Sequence, residues 1–215
     1  MLADTCAPRI RDGRWGIIWW HEHPPLSDLA LAPIPTLETE RLILRPFREA
    51  DADVFCELMQ DPDVVRFIGD RRTPSEEDCW RAVAGWLGHW VLRGYGPWAV
   101  EERTSGAFMG RAGVHFPATW PGPELAYAFG KPFWGRGYAT EAVRAARDWA
   151  FTERDFPELI SLIDPLNVAS VGVATRVGET HRGETTLREH RVMVYAINRA
   201  EWEAVRAGEA SASRS

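Results

Sequence analysis

Two glycines and an arginine stand where the sequence pattern changes from strand to helix. Before them, residues 124–129 alternate bulky apolar side chains with alanine, which predicts a half-buried strand. After them, residues 139–150 carry alanine, valine and tryptophan at helical spacing. The first amides of a helix have no partner inside the helix, so a helix start without bulky side chains suits an anion, usually a phosphate. Gly135, Arg136 and Gly137 therefore predict a phosphate-binding turn or a turn without a ligand, and Arg136 could add a charge-assisted contact.

Three kinds of phosphate site compete for this turn. A P-loop is excluded: Gly130 and Gly135 have its spacing, but Arg136 and Gly137 replace its lysine and hydroxyl residue. A dinucleotide-binding fingerprint needs glycine or alanine at its third conserved position, which here is Thr140. The third kind is the pyrophosphate turn of an acyltransferase that uses an acyl-coenzyme A. The turn alone does not distinguish this site from a turn without a ligand, so the segments outside the turn must do so.

The neighbouring segments add motifs in a fixed order. The turn reads W-G-x-G-Y-A-T-E-A over residues 134–142, and its helix ends in the aromatic pair Trp149 and Phe151. A short apolar strand follows, then P-x-N-x-A-S over residues 165–170 and a helix that closes on Val177-Gly178. Each motif is weak alone, whereas their order and spacing are specific.

With these motifs, and with the opening segment 39–46, the chain resembles the GNAT superfamily of N-acetyltransferases over residues 36–202. Within it the chain is most similar to the ribosomal-protein-alanine acetyltransferase (RimJ/RimL)-like branch. The resemblance implies an α+β fold with a mixed, largely antiparallel sheet that splays at its centre and helices on both faces.

The resemblance also divides the chain. The acetyltransferase domain is expected over residues 36–207. Residues 1–35 are expected to be an N-terminal extension, either a flexible leader or an aromatic arm that packs on its own domain or on a partner subunit. Residues 208–215 are small and polar and are expected to be a disordered tail.

Acetyl-coenzyme A is the co-substrate that the resemblance implies. Its pyrophosphate is expected on the amides of the glycine turn, and its pantetheine along the strand that precedes the turn. Asn167 and Ser170 are expected to bind pantetheine or to cap the next helix, since both residue types are favoured at helix starts. The expected co-substrate residues are Tyr127, Phe129, Trp134, Gly135, Arg136, Gly137, Tyr138, Ala139, Thr140, Asn167 and Ser170.

Amine acetylation from a thioester needs a base for the amine proton and a donor for the developing oxyanion. Glu124, at the start of the central strand, is the first candidate base, and His115 on the preceding strand is the second. Many superfamily members carry a tyrosine seven residues after the asparagine as proton donor to the leaving thiolate, but Ala174 stands there in this chain. Ser170 or solvent must then donate this proton, or the thiolate leaves unassisted.

The expected function is acetylation of a primary amine on a protein N-terminus, an aminoglycoside-like molecule or a small polyamine. Two alternatives stay open. One is a non-catalytic module that binds or senses acyl-coenzyme A, which the missing tyrosine favours. The other is a nucleotide-dependent oxidoreductase.

Composition restricts the partners. A net charge of -6 disfavours general binding to nucleic acid or to an anionic membrane, but it suits a cationic amine. Cys6, Cys56 and Cys79 are far apart and form no C-x-x-C pair, so neither a metal site nor a disulfide framework is predicted. This usage indicates a reducing compartment, the cytoplasm, and Cys56 and Cys79 are predicted to be small core residues. The protein is expected to be a monomer or a homodimer.

Overall fold

A computed structural model describes residues 33–212 of the chain, with side chains as far as Glu209. The expected leader or aromatic arm lies outside the described residues up to position 32, as does the end of the tail, 213–215. In chain order the elements are β1 (Leu37–Glu38), β2 (Leu42–Arg45), α1 (Asp51–Met59), α2 (Pro62–Val65), α3 (Glu76–Arg93), β3 (Pro97–Glu102), β4 (Phe108–His115), β5 (Glu124–Phe129), a 3-10 turn (Lys131–Phe133), α4 (Tyr138–Glu153), β6 (Glu158–Ile163), α5 (Val168–Arg176), β7 (Thr180–Leu187), β8 (His190–Asn198) and α6 (Arg199–Ala212).

The strands join in one sheet with the order β1-β2-β3-β4-β5-β6-β8-β7. Neighbouring strands are antiparallel except β5 and β6, which are parallel. These two strands pair only at Glu124 and Ile160, near their amino-terminal ends, and then diverge. The expected mixed, largely antiparallel sheet with a central splay is therefore confirmed.

Helices cover both faces of this sheet, as expected. Because side chains alternate along a strand, successive residues of β5 meet different helices. Leu125 and Phe129 belong to the larger apolar core, which includes the buried face of α4. Ala128 belongs to a second core with residues of α1 and α3. Glu124 is four residues before Ala128 on the same strand, so its side chain points to the face covered by α1 and α3. The sequence did not show which face of β5 carries Glu124.

The second core contains the two cysteines that the structure describes. Cys56 and Cys79 are both free and buried. Burial raises the pKa of the Cys79 thiol to about 12, so this thiol stays protonated and unreactive at neutral pH. The prediction that both residues fill the core is confirmed.

The start of α3 agrees with its local sequence, whereas the end of α6 differs from the expectation. Ser75 and Asp78 form a reciprocal capping box at the start of α3, an arrangement that a serine three residues before a carboxylate favours. By contrast, α6 continues to Ala212, so the disordered tail expected from residue 208 is wrong for residues 208–212. Ala210 and Ala212 are strong helix formers, and the stretch extends a helix that is anchored by the buried Trp202.

None of the helices within residues 33–212 is long and apolar enough to cross a bilayer.

Candidate active site

The turn between β5 and α4 has the geometry that an anion site needs. Gly135 and Gly137 adopt left-handed backbone conformations with φ of 71° and 81°, which other residues adopt only with strain. Gly137 is the N-cap residue of α4 and offers no side-chain cap. Within residues 33–212, no protein acceptor takes a hydrogen bond from the amides of residues 135–140. These amides are therefore open to phosphate oxygens at the positive end of α4.

Two residues just before β2 hold this turn in place. Glu141, in the first turn of α4, accepts hydrogen bonds from Thr39 Oγ1 (2.6 Å), Arg41 N (2.9 Å) and Arg41 Nε (2.7 Å). Arg41 Nη1 also donates to the carbonyl oxygen of Arg136 (2.9 Å). Burial opposes ionisation of Glu141, but the bonds from Thr39 and Arg41 lower its pKa overall. The carboxylate is thus neutralised by Arg41 and does not repel an incoming phosphate.

We expect Arg41→Met to weaken coenzyme A binding about tenfold, since the turn loses charge-assisted bonds that fix its backbone. Isothermal titration calorimetry with coenzyme A measures this change. Arg81→Met is the matched control, because Arg81 is an exposed partner of Glu77 on α3. Equal affinities of the two variants would contradict a role of Arg41 in shaping the turn.

The edge of β5 that faces β6 carries unpaired main-chain groups. Gly130 N donates to Met109 O (3.0 Å), so the even-numbered residues of β5 form the hydrogen-bonded pairs with β4. Leu125, Tyr127 and Phe129 therefore direct their N–H and C=O groups toward β6. The Leu125 amide pairs with β6 at the Glu124–Ile160 bridge, and the carbonyls of Leu125 and Phe129 accept from Ser161 Oγ and Trp134 Nε1. Among the described residues this leaves the N–H and C=O of Tyr127 and the N–H of Phe129 open to the gap where the strands diverge. An extended ligand in this gap could pair with them as an added strand does.

Trp134 has a definite role at the end of this edge. Its Nε1 donates to the carbonyl oxygen of Phe129 (2.7 Å), and the residue is 45% exposed. The indole thus satisfies the last carbonyl of β5 next to the glycine turn. Trp134 shapes the route between the turn and the strand edge.

One cavity of about 240 Å³ fills the gap between the diverging strands and continues beyond it. Its walls come from β5, the end of β6, the start of α5, the segment after α2 and the β7–β8 hairpin. The predicted residues Glu124, His115, Tyr127, Asn167 and Ser170 all line this cavity. The structure thus brings the candidate catalytic residues together with Tyr127, Asn167 and Ser170, three of the residues expected to bind the co-substrate.

Glu124 lies in the wall of the cavity with one firm partner. Trp120 Nε1 donates to Glu124 Oε2 at 2.5 Å. Burial raises the pKa of Glu124, against the opposing effects of the Trp120 bond, the Arg111 charge and the Leu162 amide. A carboxylate whose pKa is raised toward neutrality is a better general base than an exposed glutamate.

His115 is the cross-strand neighbour of Glu124 and differs from it in basicity. Burial, followed by the positive charge of Arg111, lowers the pKa of His115 to about 3. Its Nδ1 is buried and has no hydrogen-bond partner among the described residues. An imidazole with this pKa takes up a proton poorly at neutral pH, so the electrostatics favour Glu124 as the base.

The start of α5 shows which groups could protonate a thiolate. Asn167 Oδ1 accepts from Ser170 N (3.2 Å), so Asn167 caps the helix, while the Ser170 hydroxyl has no hydrogen-bond partner within residues 33–212. Ala174 is buried at 2% exposure and contributes no polar group. Tyr127 reaches this region from β5, with its hydroxyl 3.5 Å from the carbonyl oxygen of Ser170. Burial raises the Tyr127 pKa, so its phenol stays protonated.

Behind the cavity, a second buried carboxylate connects β6 to the end of α5. Glu179 is 2% exposed, and its Oε1 lies 3.0 Å from Ser161 Oγ, which is itself 3.3 Å from Leu125 O. Burial raises the pKa of Glu179 to about 8. A protonated Glu179 can donate to Ser161, whose own proton is then free for Leu125. These bonds tie β5 to β6 just where the strands begin to diverge.

This pKa predicts a pH-dependent stability. The folded pKa of about 8 exceeds the ordinary value of 4.5, so the folded state binds more protons between these values. The free energy of unfolding should therefore fall as pH rises from 4.5 to 8, by a few kcal/mol at ~1.4 kcal/mol per pKa unit. Glu179→Gln should remove most of this fall in urea titrations, whereas the exposed Glu57→Gln should keep it. The same slope in both variants would contradict the assignment.

Arg111 also lies in the cavity wall, on the face that carries Glu124. Its guanidinium lies 4.9 Å from the centre of the Trp86 ring. Its Nε and Nη1 are buried without a hydrogen-bond partner, and no described carboxylate forms an ion pair with it. Burial lowers the Arg111 pKa to about 10, with only Glu124 opposing this effect. An unpaired buried cation of this kind is costly and calls for an explanation.

Sequence reasoning missed Arg41, Glu179, Arg111 and the phenol of Tyr127. One signal was visible for Arg111, which interrupts a stretch of small and apolar residues in β4. Arg41 and Glu141 carried no such signal, because they lie a hundred residues apart in the chain.

Comparisons with known proteins agree with this geometry. A family model, acetyltransferase (GNAT) domain, matches residues 41–180. The uncharacterized protein YkkB of Bacillus subtilis (strain 168) is 36% identical over 154 residues, which cover 66% of this chain and 83% of that protein. The FsC-acetyl coenzyme A-N(2)-transacetylase of Aspergillus fumigatus is 30% identical over 187 residues, 78% of each chain.

Among solved structures, the acetyltransferase from Agrobacterium tumefaciens str. C58 is similar at a TM-score of 0.69 and 32% identity. The match covers 77% of this chain and 95% of that one. The region matched by the family model contains the glycine turn, the diverging strands and the cavity wall except for its β7–β8 part. The chain therefore belongs to the acetyltransferase (GNAT) family.

Proposed function

We propose that this protein transfers an acetyl group from acetyl-coenzyme A to a primary amine. One observation carries the proposal: the open amides of the glycine turn and the unpaired edge of β5 lead into a cavity that holds the buried carboxylate of Glu124. A pyrophosphate on the turn and a pantetheine along the edge would deliver a thioester to this carboxylate. The name of the Aspergillus relative supports acetyl-coenzyme A as donor, and the motifs over residues 134–142 and 165–170 support a RimJ/RimL-like branch.

In the proposed reaction, the acceptor arrives as an ammonium and must lose a proton before its nitrogen can attack. Glu124 takes this proton directly or through a water molecule. The nitrogen then bonds to the thioester carbon, and the carbonyl oxygen becomes an oxyanion. The open amide of Tyr127, beyond the point where β5 leaves β6, is our candidate donor to that oxyanion.

The intermediate collapses when its carbon–sulfur bond breaks. Coenzyme A leaves as a thiolate, and the Tyr127 phenol or the Ser170 hydroxyl, both in the cavity wall, can protonate it. The ammonium loses two protons in all. Glu124 takes the first and releases it to solvent, and the second returns to the Tyr127 phenol or the Ser170 hydroxyl in place of the proton given to sulfur. The products are an acetamide and free coenzyme A thiol.

A module that senses acyl-coenzyme A without catalysis is the second candidate, favoured by the apolar Ala174 at the place of the family's proton donor. Thiol release from acetyl-coenzyme A, measured with a panel of peptides, polyamines, aminoglycosides and amino acids, separates the two. We expect release that depends on the acceptor. Binding of coenzyme A in calorimetry without any release would identify a sensor, and binding of NAD instead would overturn both proposals.

A further inference from the structure

Among the described residues, the cavity wall holds one charged side chain that has neither an ion pair nor a role in the proposed reaction. Three arginines line it: Arg71, Arg111 and Arg188. Arg71 is paired with Asp164 at 2.6 Å and Arg188 with Asp70 at 3.2 Å. Arg111 has no ion pair among the described residues, and two of its nitrogens are buried without a hydrogen-bond partner.

The surroundings of Arg111 do not compensate for the missing hydrogen-bond and ion-pair partners of its guanidinium. The groups around it are the Trp86 ring at 4.9 Å, the neutral His115, and Glu124, which influences it only at a distance. The Trp86 ring contributes a cation–π contact but no hydrogen-bond acceptor. Taking charged N–H groups out of water without a partner is unfavourable, so a guanidinium in a cavity wall with two buried, unpartnered nitrogens indicates a missing anion.

Glu124 and Arg111 are both directed to the same face of the sheet. Their strands pair His115 with Glu124 and Arg111 with Ala128, so the two side chains share one side of the β4–β5 ladder. A carboxylate and a guanidinium in one cavity wall complement a ligand that carries an amine and an anion. The planar fork of arginine matches a carboxylate in two parallel hydrogen bonds.

We propose that the acceptor is a small molecule that carries a carboxylate as well as the amine, such as a free amino acid, and that Arg111 binds this carboxylate. This inference rests on the proposed function and names the substrate class of the same site. The cavity volume of about 240 Å³ agrees with a small acceptor, because the space must also hold the thioester end of the co-substrate. A peptide N-terminus has an amide carbonyl beside its amine and leaves Arg111 unpaired.

The test compares acceptors that differ only in the anion. Glycine, β-alanine, 4-aminobutyrate and L-phenylalanine are each paired with their neutral carboxamides, and kcat and KM are measured from thiol release with acetyl-coenzyme A. The uncatalysed reaction of each pair with an acetyl thioester corrects for the different amine reactivities. We expect the wild-type protein to prefer at least one carboxylate by about tenfold or more, the scale of a charge-assisted hydrogen bond.

Variants connect the preference to Arg111. Arg111→Met should abolish it, mainly through a higher KM for the carboxylate acceptor, and Arg111→Lys should keep part of it because the charge remains without the fork. Arg81→Met, on the exposed surface of α3, should keep the wild-type ratio. If Arg111→Met does not fold, the wild-type preference and Arg111→Lys decide the question.

The failures are distinguishable. Acetylation of the carboxamides or of a peptide N-terminus at least as fast as the carboxylates overturns this inference and leaves the acetyltransferase proposal standing. A carboxylate preference that Arg111→Met retains also overturns the inference. Binding of coenzyme A without acetylation of any amine overturns the proposed function itself.

Discussion

Replacing Gly137 with glutamate is expected to abolish coenzyme A binding while the protein stays folded. The new side chain would enter the space above the open amides and add a negative charge where the pyrophosphate must lie. Several charge-assisted bonds of ~1.5–3 kcal/mol each would be lost, so affinity should fall by a hundredfold or more. Calorimetry with coenzyme A measures the loss, and the melting temperature reports folding.

Two controls separate charge from backbone strain. A side chain at Gly137 is strained because φ is 81°, and its Cβ would lie 3.4 Å from Arg41 Nη2. Gly137→Ala has this strain without the charge and should bind more weakly than wild type but more strongly than Gly137→Glu. Gly94→Glu adds the same residue at φ 72° beside Arg154, which caps the opposite end of α4, and should bind normally. Unchanged affinity in Gly137→Glu would show that the pyrophosphate lies elsewhere.

Replacing Glu124 with glutamine is expected to lower turnover by roughly a hundredfold or more, the usual scale for a lost general base. The glutamine oxygen can still accept the Trp120 hydrogen bond, so the cavity and the coenzyme A affinity should persist. Stability should stay equal or increase, because the change removes a buried carboxylate whose ionisation is unfavourable. Thiol-release kinetics and thermal melting measure both effects.

The pH dependence identifies the role of Glu124. A base acts in its deprotonated form, so kcat/KM should rise with pH through the Glu124 pKa, which burial places above 4.5. In Glu124→Gln this rise should disappear, and the deficit should shrink as pH approaches the pKa of the amine, which then deprotonates by itself. His115→Ala should lack this signature, because a residue of pKa about 3 stays neutral throughout.

Two outcomes would change the assignment. Full activity in Glu124→Gln together with a pH-dependent loss in His115→Ala would make His115 the base. Full activity in both variants would mean that alignment of thioester and amine carries the reaction, as well-oriented reactants can react without a base.

The sequence by itself determined those features whose causes lie within a few residues. The bounds of β5 follow from its alternation, and the capping box of α3 from a serine and a carboxylate three positions apart. The two glycines at positive φ follow from the need for a tight turn with open amides. These are local properties, because periodicity, caps and left-handed turns depend on neighbouring residues.

The tertiary structure alone decided how distant residues combine into a site. Arg41 meets Glu141 across a hundred positions, and Tyr127 brings to α5 the phenol that Ala174 does not supply. The same holds for α6, whose anchor Trp202 packs on Phe151 of α4. Burial sets the different pKa values of Glu124 and His115 and isolates Arg111, and burial depends on which elements the whole chain brings together. A one-dimensional pattern shows which groups can do chemistry, but only the packed sheet determines which of them share a cavity.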